Sequence, residues 1–164
     1  LVELSDASRE GWRRRYLQSQ LAVAMGGRVA EEIIYGEDEV TTGASNDLQQ
    51  VRDIARRMVA QWGFTVDHDS LEGPIGWEAP DAGRFSARTC SEGTSVVIDR
   101  EIVRFVDVAH AECREALSRH RKLLESMADV LVRKETLSGE EVLELLEKYD
   151  TNLYKRLGKS MAMG

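Results

Sequence analysis

Apolar residues recur at steps of three and four through most of this chain, and that spacing constrains the fold more than any other feature. From about Arg13 to Tyr35 the recurring positions are Leu17, Leu21, Ala24, Met25 and Val29. From Ser45 or Asn46 to Trp62 they are Leu48, Val51, Ala55, Met58 and Trp62. From about Ser91 to His120 they are Ile98, Ile102, Phe105, Val106, Ala109, Cys113 and Leu117. Such a period places one apolar stripe along a helix and leaves charged residues such as Arg52, Asp53, Arg56 and Arg57 off it. Arg121–Lys134 continues the pattern, with Leu124, Met127, Ala128 and Leu131 expected inward. Ser138-Gly139-Glu140-Glu141 has the S-x-x-E form of a capping box and opens a last short helix with Val142, Leu145 and Leu146 inward. The expected fold is all-α, a helical bundle of about five helices.

Breaks in the period set the organisation. Residues 1–12 carry no period and form an irregular lead-in; residues 13–150 form the helical body. Residues 151–164 contain Lys155, Arg156 and Lys159 without an acid and are expected to be a frayed, flexible basic tail. Gly26-Gly27 interrupts the first helix. Each glycine costs up to about 1 kcal/mol against alanine, so the pair marks either a close approach of another backbone or a tolerated soft spot. Gly36 and Gly63 are natural helix stops. Residues 63–90 lose the helical period and contain both prolines, Pro74 and Pro80. They predict one long loop with a short strand near Pro74–Trp77, and loops this long are usually functional or mobile.

Composition narrows the function classes. A chain of 164 residues buries roughly 70% of its unfolded surface, enough for a core without disulfide or metal staples. The net charge of −7 argues against a nucleic-acid surface. No apolar run approaches the ~20 residues of a membrane span, and no signal-peptide pattern is present. A start at Leu1 rather than Met suggests a processing site or a fragment boundary. Cys90 and Cys113 form no C-x-x-C pair and fit a reducing compartment, each buried or idle. His68, His110 and His120 form no H-x-x-x-H pair. There is no G-x-x-x-x-G-K-[ST], no H-E-x-x-H and no G-x-S-x-G, so no complete active site is written in the chain.

The remaining candidate for chemistry is the run Thr41-Thr42-Gly43-Ala44-Ser45-Asn46-Asp47, which leads into the second helix. Asp47 falls at a helix start. A carboxylate there complements the helix dipole and the free N–H groups of the first turn; it is also held firmly enough to bind a metal or a partner. On pattern alone the helix-start role is favoured. Arg28 is spaced to pair with Glu31 or Glu32 for roughly 0.2–0.5 kcal/mol if exposed. That pair is read as structural, and Glu31 and Glu32 as helix-face charges. Trp12, Trp62 and Trp77 are read as core or interface packing.

Two long runs, Gln20–Gly36 and Glu39–Leu48, closely resemble segments of the FtsH-type AAA+ metalloproteases. Ala55–Val59, Gln61–Phe64, Ile98–Ile102 and Lys134–Leu137 fit the same family, so the resemblance covers about residues 15–150. It implies a membrane-anchored homo- or hetero-hexamer in which an ATPase ring feeds unfolded or membrane-protein substrates to zinc peptidase domains. In the family two histidines of an H-E-x-x-H helix and a later aspartate bind the zinc, and the motif glutamate is the general base. Asp47 matches that later aspartate and is the candidate metal ligand. No residue of this chain matches a catalytic or nucleotide-binding position: Zn2+ is the implied cofactor with an incomplete site, and ATP and Mg2+ enter only through an ATPase module this chain does not contain. The loop around residues 65–90 departs from the usual family sequence. Membrane attachment would come only through segments outside the chain, with the peptidase side in the cytosol or an organelle interior. The stretches Arg14–Leu17 and Asn152–Tyr154 are similar to the chloroplast branch. Two function classes follow. One is the C-terminal part of an ATP-dependent zinc endopeptidase, inactive alone; the other is a non-catalytic scaffold or assembly module of the same origin. A helical adaptor of unrelated origin fits the two long runs poorly.

Overall fold

The computed structural model describes residues 13–67, 71, 73–78 and 90–155. Every regular element among them is helical. In chain order these are α1 (Arg14–Ala24), α2 (Gly26–Tyr35), α3 (Ser45–Arg56), α4 (Glu92–Arg119), α5 (Arg121–Lys134) and α6 (Gly139–Tyr149). Short tight turns span Glu37–Glu39 and Thr42–Ala44, and a π-helical turn, Arg57–Gln61, extends α3. The expected all-α class holds. Two compact units are present, one ending at Cys113 and one beginning at Arg114.

In the first unit the core is built from Leu17, Leu21, Met25, Val29, Val51, Ala55, Met58, Val59, Ile98, Ile102, Phe105 and Ala109, all buried. The single helix expected over 13–35 is two helices. Met25 turns the chain with φ −83° and ψ −7°, and its N–H bonds Leu21 O and Val23 O. Its side chain is only 4% exposed, so the break keeps the apolar stripe in the core. The close backbone approach proposed for Gly26-Gly27 is not found. A Cβ at either would meet nothing within 4 Å, so the pair is a tolerated helix start.

The stripe of α3 also differs. Leu48 is 41% exposed, and Ile54 takes the inward place. The π turn explains why Met58, Val59 and Ala60, three consecutive residues, are all fully buried. Its wider winding, seen in the Trp62 N–H bond to Arg57 O at 3.1 Å, turns a broader face to the core.

The predicted strand near Pro74–Trp77 is absent among the described residues. The segment lies against the π turn instead, with the Trp77 and Glu78 N–H groups both donating to Ala60 O, at 2.7 and 2.9 Å. Glycine is required on both sides of this docking. A Cβ on Gly76 would stand 2.7 Å from Gln61 O. One on Gly63, whose φ is +64°, would stand 2.8 Å from Ile75 N.

In the second unit α5 buries Leu123 rather than the expected Ala128 and Leu131, both of which are exposed. The inward line is Leu123–Met127–Val130, rotated from the predicted one. Ser138 and Glu141 form the full capping box at the start of α6. Residues 151–155 are helical. Asp150 Oδ1 accepts the Leu153 N–H at 2.8 Å, and Asp150 Oδ2 lies 3.0 Å from His120 Nδ1. The lead-in 1–12 with Trp12, His68, and tail residues 156–164 lie outside the described residues.

Candidate metal-ligand site

The run before Asp47 is shaped by hydroxyl and carboxylate contacts. Thr41 precedes the tight turn and its Oγ1 accepts the Gly43 N–H at 3.3 Å, which caps that turn. Ser45 Oγ donates to Thr42 O, closing the next step. Glu31 of α2 then pins the whole run. Its carboxylate accepts the Thr41 N–H at 2.8 Å and the Thr41 hydroxyl at 3.1 Å. Ala44 is buried and seats the turn in the core. The chain therefore enters α3 at a fixed angle, and Asp47 is the third residue of that helix.

Asp47 itself is exposed. It is the acidic residue of the first turn of α3, and that helix has no side-chain cap. Its carboxylate makes no hydrogen bond or ion pair to another described residue. A carboxylate in this state keeps its lone pairs available on a fixed platform, which suits a single metal ligand. It does not by itself make a zinc site, which takes three protein donors in a catalytic centre. Among the described residues no three His, Cys, Asp or Glu side chains converge to hold a metal ion. The residues present thus fit one donor of a set.

A second cluster lies on the other side of α2. Arg28 Nε donates to Glu32 Oε1 at 2.9 Å, the structural i,i+4 pair expected from spacing. His110 of α4 brings Nε2 to 2.8 Å from Glu32 Oε2. Burial pushes the Glu32 carboxyl up, but Arg28 and His110 outweigh it and hold it below the usual carboxylate range. One turn along α4, burial raises the Cys113 thiol, with the nearby Glu32 charge adding to it. Both effects disfavour the thiolate, the nucleophilic form. Cys90 is half-buried, and both cysteines are free.

The profile of peptidase family M41 matches residues 2–145. The chain belongs to peptidase family M41. It is 45% identical over 148 residues to the ATP-dependent zinc metalloprotease FtsH 3 of Synechocystis, covering 87% of this chain and 23% of that protein. It is 38% identical over 145 residues to the chloroplastic FTSH 1 of Arabidopsis thaliana, covering 87% and 20%. With FtsH of Thermobaculum terrenum it shares 39% over 142 residues, covering 84% and 21%. The chain spans about a fifth of the length of these relatives. Among its described residues no helix is long and apolar enough to cross a membrane.

In this M41 chain two carboxylates outside the predicted site carry much of its geometry. Glu31, a helix-face charge by its spacing, fixes the Thr41 turn. Glu101, within the stripe of α4, is fully buried. Its carboxylate accepts the Val66 N–H at 2.6 Å and the Asp67 N–H at 3.3 Å, and it pairs with Arg104. Arg104 also reaches Asp67 at 3.1 Å. Glu101 thereby anchors the start of the loop that follows the π turn. The sequence signal for it was available: an acid one residue before Ile102 and three after Ile98 sits in phase with the core. Its backbone partners, 35 and 34 positions away, were not legible.

Proposed function

We propose that this chain is the C-terminal part of an FtsH-type peptidase domain and supplies the helical scaffold and Asp47 as the third zinc ligand. The observation that supports this best is the Asp47 carboxylate, exposed and bonded to no other described residue on the first turn of α3, in a run tied down by Glu31. Zinc bound there would polarise a peptide carbonyl and generate a hydroxide-like nucleophile at neutral pH. The other ligands and the general base belong to a segment outside this chain. Within the chain, Glu31 and the Thr41 turn orient the Asp47 carboxylate, and Glu101 holds the start of the loop after the π turn. ATP-driven unfolding, hexamer assembly and membrane attachment would come from the rest of the polypeptide. The substrates of the intact protease would be unfolded or membrane proteins. The chloroplastic and bacterial relatives support a peptidase side in an organelle interior or the cytosol.

Two measurements test this. In the full-length protease, Asp47→Asn should lower chelator-sensitive cleavage of an unfolded substrate by more than about 100-fold while ATP hydrolysis persists. The 164-residue chain alone, with added zinc, should not cleave. Unchanged cleavage in the variant would overturn Asp47 as a ligand, and robust cleavage by the chain alone would remove the need for outside ligands; a gene with no H-E-x-x-H helix in frame upstream would favour the scaffold reading.

A further inference from the structure

α2 is thinly anchored by apolar contacts. Val29 is its one fully buried residue, with Ile33 and Ile34 half-buried. Its tie to α4 is polar: the Glu32 side chain, 8% exposed, lies 2.8 Å from His110 Nε2, across 78 positions of sequence. Arg28 holds the other Glu32 oxygen at 2.9 Å and keeps it turned toward His110. The neighbouring Glu31 faces the other way and grips Thr41. Adjacent helix residues project about 100° apart, so one rotation of α2 moves both carboxylates. We propose that His110, acting through Glu32, is a positioning residue for the Asp47 carboxylate. The staple fixes the rotation of α2, α2 fixes the Thr41 turn, and the turn fixes the first turn of α3.

This rests on Asp47 being a zinc ligand, and the experiment separates the two claims. Zinc affinity of the full-length protease is measured by chelator competition, alongside hydrogen exchange at the Thr41 and Gly43 amides. His110→Ala should weaken zinc binding about tenfold, the lower end of the effect of supporting partners. It should also speed exchange at those two amides. His110→Gln, which keeps a donor toward Glu32, should recover most of both. Cys113→Ala, a packing change one turn along the same helix, should lower the melting temperature yet leave zinc affinity at the wild-type value. Unchanged zinc affinity in His110→Ala overturns the staple, as does an equal loss in Cys113→Ala. Wild-type zinc affinity in Asp47→Asn would instead overturn the ligand reading beneath it.

Discussion

The two ends of α3 are held by different physics. At its start only Ala44 is buried, and the chain is steered by side-chain oxygens: Glu31 on Thr41, and Thr41 on Gly43. At its end Met58, Val59 and Ala60 are fully buried, and the contacts are backbone on backbone, Trp77 and Glu78 onto Ala60 O. The first arrangement leaves a carboxylate exposed and aimed. The second fills space and admits only glycine at the points of approach. One helix thus presents a site from an end that contributes little to stability and is carried by an end that contributes much.

Substitutions should expose that asymmetry, and the largest losses belong to the π-turn end. Met58→Ala removes a fully buried side chain and should cost about 3 kcal/mol, read as a fall in the denaturation midpoint with the slope unchanged. A cost below about 1 kcal/mol would mean that this end is not the anchor. Glu101→Ala comes next. It leaves two backbone N–H groups without their acceptor and Arg104 with Asp67 alone, at about 2–3 kcal/mol. Glu101→Gln should recover only part of this, because one of its two terminal atoms becomes a donor facing other donors. Gly63→Ala places a Cβ against Pro74 and Ile75 at a φ of +64°, at about 2 kcal/mol. Its effect should centre on the 74–78 segment, seen as faster exchange of the Trp77 and Glu78 amides.

How much of this was legible follows the same divide. The apolar period located every long helix, and the Ser138–Glu141 capping box and Arg28–Glu32 pair form as their spacing required. These are local rules, satisfied within four residues. The π turn carried no signal, because Arg57–Gln61 contains ordinary helix formers and its register is set by what docks on Ala60. The break at Met25 falls where Gly26-Gly27 marks an interruption, though the pair alone does not say that the chain turns there into a second helix. Leu48 was placed inward because periodicity assumes that the core covers a whole helix, whereas α3 projects its first turn beyond the core. For Asp47, pattern gave the helix start. The Glu31 grip lay ten positions from Thr41 and needed the folded chain.

A smaller effect separates the two faces of α2 by pH. Arg28 and His110 hold the Glu32 carboxyl below its ordinary value of 4.5, so the folded state binds the proton less readily than the unfolded chain. The resulting stabilisation is fully present above that ordinary value and is lost as pH falls through the lower folded value. Wild-type protein should therefore exceed Glu32→Gln in stability near neutral pH, and the gap should close below about pH 4.5. A gap independent of pH across that window would show that the staple acts by packing alone.

The smallest stability effect is expected at the residue with the largest functional one. Asp47 is exposed and bonded to no other described residue, so Asp47→Asn should change folding stability by no more than about 0.5 kcal/mol. What it loses is a favourable charge at the first turn of α3, a term screened by salt. The same substitution should abolish zinc-dependent cleavage in the full-length protease. Melting curves at low and high salt check the first half, with the variant converging on wild type as salt rises. A loss as large as that of Met58→Ala would mean that the start of α3 is structural after all, and the contrast between its two ends would fail.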